Sequence, residues 1–502
     1  MQDGMTRRGF AALLSASAGA VMAGCENEPP PPPTDALAGD DASGLAARVR
    51  AQEISVEDVV NTAITRMNAA NTSLKFLAAD TFERARAYAR THNTVSGPFA
   101  GAPVLISDMA DLPGVPTRYG SRAYANAENA QRSAPYDVAA LIEAGAIPLG
   151  KATTAEFGLA LSTEPALSGP VLNPWNLNYA AGGAYGGAAA AVASGAVAMA
   201  QGRDSRGELR MSAATCGVVG FTPSRGRILR RSADAPNWDL GAPACLARSV
   251  RDAAAWLAAA ERATQSIELP AIGMVSRSAH RRIRIGRRSA DWMGQTPEPA
   301  SRAAFEQISN RCVNLGHDLV EATAPIDAEP FSTDCILLWS AEAAARLAQA
   351  KRDNPGVDVE DLVEPFTLGL ARQFETAPDN ALQDALGRLQ RISGYYARAF
   401  EGFEIMLSPT TPSTAPILGD IAPTEPFPAT FDRASRLLGF TTLTNVAGAP
   451  AISLPLGMSP EGLPIGVQLS AQRGGERLLL ELALQLEASE PWVWRHPSVW
   501  TG

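Results

Sequence analysis

Between Ala180 and Ala200 the chain consists almost entirely of glycine and small apolar residues, with Ala188 to Ala193 at its centre. Such a run lacks the bulk to build a core of its own. It predicts a helix that packs closely against a sheet, and so demands an α/β layer structure around it. The flanking sequence agrees. Ala102-Pro103-Val104-Leu105-Ile106 reads as a short buried strand, and Val138 to Ala144 followed by Ala146 to Gly150 reads as helix, turn and strand. From Gly44 to Thr91 the apolar positions recur at helical spacing, as in Val56, Val59, Val60, Ala63 and Ile64, with Ser55 as the expected N-cap. Residues 270 to 410 alternate strand-like and helix-like segments and are expected to form a second lobe of the same domain. Within them Arg281, Arg282, Arg284, Arg287 and Arg288 surround Ile283 and Ile285, predicting an exposed strand whose arginines face solvent or, functionally, lipid headgroups or another anionic partner. The chain closes with strands at Ala451 to Pro455 and Ile465 to Leu469, joined through Glu461-Gly462, and a long helix.

Composition excludes several functions. With 502 residues, 46% hydrophobic and 19% charged, the chain can bury a large core. Its 43 Lys plus Arg against 52 Asp plus Glu leave a net charge of −9, which disfavours nucleic acid as a partner. Four scattered histidines (His92, His280, His317, His496) argue against a histidine-built metal site, and no metal or cofactor is expected. Gly182 to Gly187 lacks both the spacing of a phosphate-binding loop and a neighbouring Walker lysine.

The N-terminus reads as an address. Thr6-Arg7-Arg8-Gly9-Phe10, the apolar run Ala11 to Ala23 and Gly24-Cys25 resemble a twin-arginine export signal joined to a lipoprotein box, with Met22 where leucine is commonest. The run is shorter than the roughly 20 residues a spanning helix needs. On this reading residues 1–24 are a signal peptide, and Cys25 carries lipid at the cell envelope or periplasm. Pro29 to Pro33 form a stiff spacer within a 25–43 linker, and the folded domain covers 44–500. The membrane is met through the lipid alone. The remaining Cys216, Cys245, Cys312 and Cys335 show no close spacing, leaving a disulfide and buried free thiols both open.

A set of separated motifs then resembles one family. Gly101 to Ile106, Gly150-Lys151, Glu156-Phe157-Gly158, Asn173-Pro174-Trp175, the 182–187 glycine loop, Gly202-Arg203-Asp204, Cys216 to Phe221, Pro223 to Gly226, Gly448 to Ser453 and Gly462 to Leu469 together resemble the amidase signature family. That resemblance implies a single large α/β/α domain around a mixed sheet. It also implies metal-free amide hydrolysis by a serine nucleophile, a relay serine in a cis peptide and a neutral lysine base, with glycine-rich N–H groups stabilising the oxyanion.

The motifs that carry this chemistry are altered here. The family's Pro-Val-x-x-Lys-Asp reads Pro103-Val104-Leu105-Ile106-Ser107-Asp108, so the base position holds Ser107. The relay serine maps to Ala184, beside Tyr185. The family's Asp-x-Gly-Gly-Ser-x-Arg becomes Asp204-Ser205-Arg206-Gly207-Glu208-Leu209-Arg210, with Glu208 at the nucleophile and Arg206 at an oxyanion-loop glycine. Ala184 and Glu208 are 24 positions apart (208 − 184), as are the family's two serines. Loss of the nucleophile alone typically costs about 10⁶ in turnover. The expectation is a pseudo-amidase whose altered cleft, lined by Tyr185, Asp204, Ser205, Arg206, Gly207 and Arg210, binds a small-molecule ligand or an envelope protein. Exchange of a lysine for serine and of a serine for Glu208 favours a cationic or amine-bearing ligand. The structural alternative pairs Glu208 with Arg206 or Arg210, filling the pocket. The catalytic alternative is an amide or ester hydrolase in which Glu208 is general base and Ser107 or Tyr185 donates a hydrogen bond. Ser205 has no lysine or histidine near it in sequence to activate it, and Lys151 belongs to the Gly-Lys segment rather than the base position.

Overall fold

A computed structural model describes residues 35–92, 95–229, 239–264, 268–279, 281–322, 326–492 and 495–502. The signal, Cys25 and the proline spacer lie outside the described residues. Residues Asp35–Gly502 form one compact unit, which begins nine residues before the expected start at 44 because Leu37 is already buried in its core.

Thirteen strands are present among the described residues: β1 (Leu77–Asp80), β2 (Pro103–Ser107), β3 (Ile147–Ala152), β4 (Leu172–Asn173), β5 (Asn176–Ala180), β6 (Met199–Asp204), β7 (Val219–Thr222), β8 (Ala242–Ala247), β9 (Arg284–Arg287), β10 (Asp318–Glu321), β11 (Ile405–Pro409), β12 (Ala451–Met458) and β13 (Pro464–Ser470). Eleven of them form one mixed sheet in the order β1-β3-β2-β6-β8-β7-β12-β13-β11-β9-β10, while β4 and β5 make a separate hairpin. Parallel pairing joins β3, β2 and β6 on one side and β11, β9 and β10 on the other, with antiparallel strands between them. Segment 270–410 therefore extends the same sheet, as a second lobe of one domain should. The strands β2, β8, β11 and β13 are buried along their whole length, which their continuous apolar character requires.

The glycine-alanine run forms the helix Gly186–Ala193, every residue of which is buried. Small side chains let this helix and its neighbour, Glu208–Cys216, lie against the sheet. Ser55 caps the helix Val56–Leu74 by accepting from the Asp58 N–H, as its sequence predicts.

The arginine-rich segment agrees with expectation in part, since Arg281, Arg282 and Arg284 are exposed. Its strand is internal, between β10 and β11, so Ile283 and Ile285 are fully buried. Arg281 pairs with Glu404, Arg282 with Asp318 and Arg287 with Glu306, while Arg288 is buried. Carboxylates from neighbouring elements thus pair with three of the five arginines that the local sequence presented as free. The four described cysteines are free thiols. Burial pushes Cys216 and Cys312 up to about 12, so neither is a reactive thiolate. No helix among the described residues is long and apolar enough to cross a membrane.

Candidate active site

Two strand ends and two glycine turns build the site. Ser107 ends β2, and Asp204 ends its neighbour β6, from which the loop 205–207 leads directly into the helix Glu208–Cys216. The turn into that helix needs glycine: Gly207 has φ +106°, and a Cβ there would lie 2.1 Å from Thr441. Facing it, Gly183 has φ +72°, and its Cβ would fall 2.2 Å from the Glu208 carbonyl oxygen. The glycine loop and Glu208 are thereby in backbone contact. The peptide bond before Ala184 is trans, and Ala184 is fully buried with no reactive atom.

Glu208 stands at the first turn of its helix, where free N–H groups and the helix dipole favour an anion. Its side chain folds back onto the loop: Oε1 accepts from the Ser205 N–H at 2.9 Å and Oε2 from the Arg206 N–H at 2.6 Å. Both of these loop donors are thereby held by the chain's own carboxyl group. Burial raises the Glu208 carboxyl above its ordinary value, against the opposing effects of Arg206 and the backbone donors. Neither predicted guanidinium partner bonds it. Arg206 turns away to Glu342, with Nη1 to Oε2 at 2.6 Å, and donates from Nη2 to the Gly158 carbonyl at 3.1 Å. Arg210 goes to Asp204. The expected pairing of Glu208 with either arginine is corrected accordingly: two backbone donors at bonding distance satisfy the carboxyl group without one.

Asp204 and Arg210 form a fully buried structural pair. Arg210 Nε bonds Asp204 Oδ2 at 2.5 Å, and the same oxygen accepts from the Thr222 hydroxyl at 2.7 Å. The other Asp204 oxygen accepts from the Leu209 N–H, while Arg210 also reaches Thr444, Gln468, the Thr441 carbonyl and Asn445. These residues tie the loop to the C-terminal strands and are saturated by the fold rather than open to a ligand.

Ser107 is buried, and its hydroxyl donates to Gln201 Oε1 at 3.1 Å. Gln201 in turn donates to Asp137 at 2.7 Å. Next to it Asp108 pairs with Lys151 at 2.9 Å, and Lys151 also donates to the Thr117 hydroxyl at 2.8 Å. Burial depresses the Lys151 amine, with Asp108 opposing. Its bonding places it as structural support, as its Gly-Lys segment implied. Tyr185 is buried near Glu208, Arg203 and Asp204; burial first, and the Glu208 charge second, push its hydroxyl up, so it can donate a proton in a hydrogen bond but is not an anion at neutral pH.

Over Ser205 and Arg206 there remains a pocket of about 20 Å³, bounded also by Trp339, Glu342 and Thr442. That is room for about one water molecule. Sequence inspection did not find Gln201, Asp137, Trp339 or Glu342. Trp339 and Glu342 are three apart on the helix Ala328–Asp353 and share a face, a spacing that is legible, but nothing local points that face at Arg206.

A family model described as Amidase matches residues 58–480. AmiC of Mycobacterium tuberculosis, which its name marks as a provisional amidase, is 35% identical over 470 residues, covering 92% of this chain and 97% of that protein. The 6-aminohexanoate-cyclic-dimer hydrolase of Paenarthrobacter ureafaciens is 32% identical over 486 residues, covering 91% and 96%. A solved 6-aminohexanoate cyclic dimer hydrolase complexed with substrate superposes with a TM-score of 0.81 at 31% identity, over 92% of this chain and 99% of that one.

Proposed function

Since the chain belongs to the amidase signature family, we propose that it is a member without amidase turnover, whose altered cleft serves ligand or partner binding at the cell envelope. The observation that carries this reading is the Glu208 carboxyl group seated on the Ser205 and Arg206 N–H groups. A substrate carbonyl would have to displace it to reach those donors, and no serine stands at the nucleophile or relay position to attack. Ser107, in place of the base, is engaged with Gln201. Oxyanion-hole catalysis of about 10³ to 10⁴ over water, which survives triad loss elsewhere, needs open donors.

A hydrolytic reading keeps two points of support: the relatives named as hydrolases, and a Glu208 carboxyl raised by burial, as a general base requires. Turnover by the purified protein on a panel of amides and esters, beside Glu208→Ala, separates the two. The non-catalytic reading predicts no turnover from either protein; hydrolysis lost in the variant would make Glu208 catalytic. The location is a separate part of the proposal and rests on the Arg7-Arg8 and Gly24-Cys25 motifs. Cys25→Ala is expected to move the protein from the membrane to the soluble fraction on cell fractionation, and unchanged membrane association would refute the lipid anchor.

A further inference from the structure

Arg206 occupies something shaped like a binding site. The centre of its guanidinium lies 5.4 Å from the ring centroid of Trp339, Nη1 bonds the Glu342 carboxylate at 2.6 Å, and Nη2 bonds the Gly158 carbonyl at 3.1 Å. An aromatic face, a carboxylate and a carbonyl acceptor, largely shielded from water, are the groups that recognise a guanidinium. The fit of the tethered side chain is incomplete. Its Nε is buried without a hydrogen-bond partner, although the side chain as a whole is only 9% exposed. Burial alone would lower the Arg206 guanidinium, but Glu342 and then Glu208 outweigh it, so the surroundings favour a cation at this point. The other nearby arginine, Arg203, is engaged with Asp239. The pocket of about 20 Å³ against Arg206 among the described residues is too small for an alkylguanidinium, so such a ligand takes this place by displacing the side chain.

We propose that Trp339, Glu342 and the Gly158 carbonyl form a site for an alkylguanidinium group, which Arg206 holds closed as a resident ligand. This deepens the non-catalytic reading by giving the ligand's chemical class and the side chain with which it competes. Because Arg206 is attached to the chain, it competes at a high effective concentration, and an external guanidinium meets a far weaker site in the native protein than in one lacking this side chain. The position is also one where the family motif has glycine, so Arg206→Gly removes the occupant without adding bulk.

The test is a titration of wild type, Arg206→Gly and Arg206→Gly/Glu342→Gln with methylguanidinium at constant ionic strength, read by tryptophan fluorescence and by thermal shift. Arg206→Gly is expected to saturate at a methylguanidinium concentration at least tenfold lower than wild type, and the added Glu342→Gln to weaken that binding tenfold or more. Arg206→Ala serves in place of the glycine variant should the latter lose its native circular dichroism. A folded variant that responds as wild type does, or one whose binding is indifferent to Glu342→Gln, would overturn the proposal. The titration reads binding alone. Discovery of amide turnover in the wild type would therefore defeat the non-catalytic reading while leaving the guanidinium result to stand or fall separately.

Discussion

Within the seven residues from Asp204 to Arg210, two pairs of charged side chains have opposite relations to the fold. Asp204 and Arg210 bond to each other and to β7, β13 and the segment 441–445, with no exposure to solvent. Arg206 and Glu208, which stand where the family motif has glycine and serine, do not bond to each other through their side chains. One reaches out to Glu342 on a distant helix, and the other folds back on its own loop. The contrast teaches that the framework of the site and its reactive positions are separable. Asp204 and Arg210 are locked by long-range bonds, while Arg206 and Glu208 bond to Glu342 and to the N–H groups of their own loop.

Breaking the inherited pair gives the largest expected effect. Arg210→Met strands the Asp204 charge in the interior, and should lower unfolding free energy by about 3–5 kcal/mol, as measured by urea denaturation. A loss below about 1 kcal/mol would erase the distinction between the two pairs. Glu208→Gln is milder: one amide oxygen replaces two carboxylate acceptors, for a loss of about 1–2 kcal/mol. It also carries a pH signature. Burial raises the folded-state value of Glu208 above 4.5, so the folded protein holds this proton more tightly than the unfolded chain. Its contribution is complete below that ordinary value and is lost as pH rises through the folded value. The stability difference between wild type and Glu208→Gln should therefore shrink on going from acid to neutral pH, in denaturation series at several pH values. A difference that grows with pH would mean that the backbone donors, Arg206 and the helix N-terminus outweigh burial at Glu208.

How much of this was legible in the sequence follows the range of the interactions. The buried strand at Pro103–Ser107, the Ser55 cap and the glycine-alanine helix depend on neighbours within a few residues, and local pattern located each of them. The mixed sheet followed from the resemblance, because ten separated motifs keep their order. Partnership was not legible. Arg206 bonds a residue 136 positions away, and Arg281 one 123 away, so composition around either arginine says nothing of the carboxylate that neutralises it. The partners of Glu208 were illegible for a different reason: they are backbone N–H groups, which every residue but proline carries and no residue type reveals.

Reconstruction of the positions mapped to the family's triad tests most directly the proposal that this chain lacks hydrolysis because of the residues it carries there. Ser107→Lys, Ala184→Ser, Arg206→Gly and Glu208→Ser are combined in one chain, and turnover is measured on the amide and ester panel against wild type. Hydrolysis by the combined variant with none by wild type is the predicted result. A natively folded variant that remains inert would contradict it, and would place the loss in the framework itself.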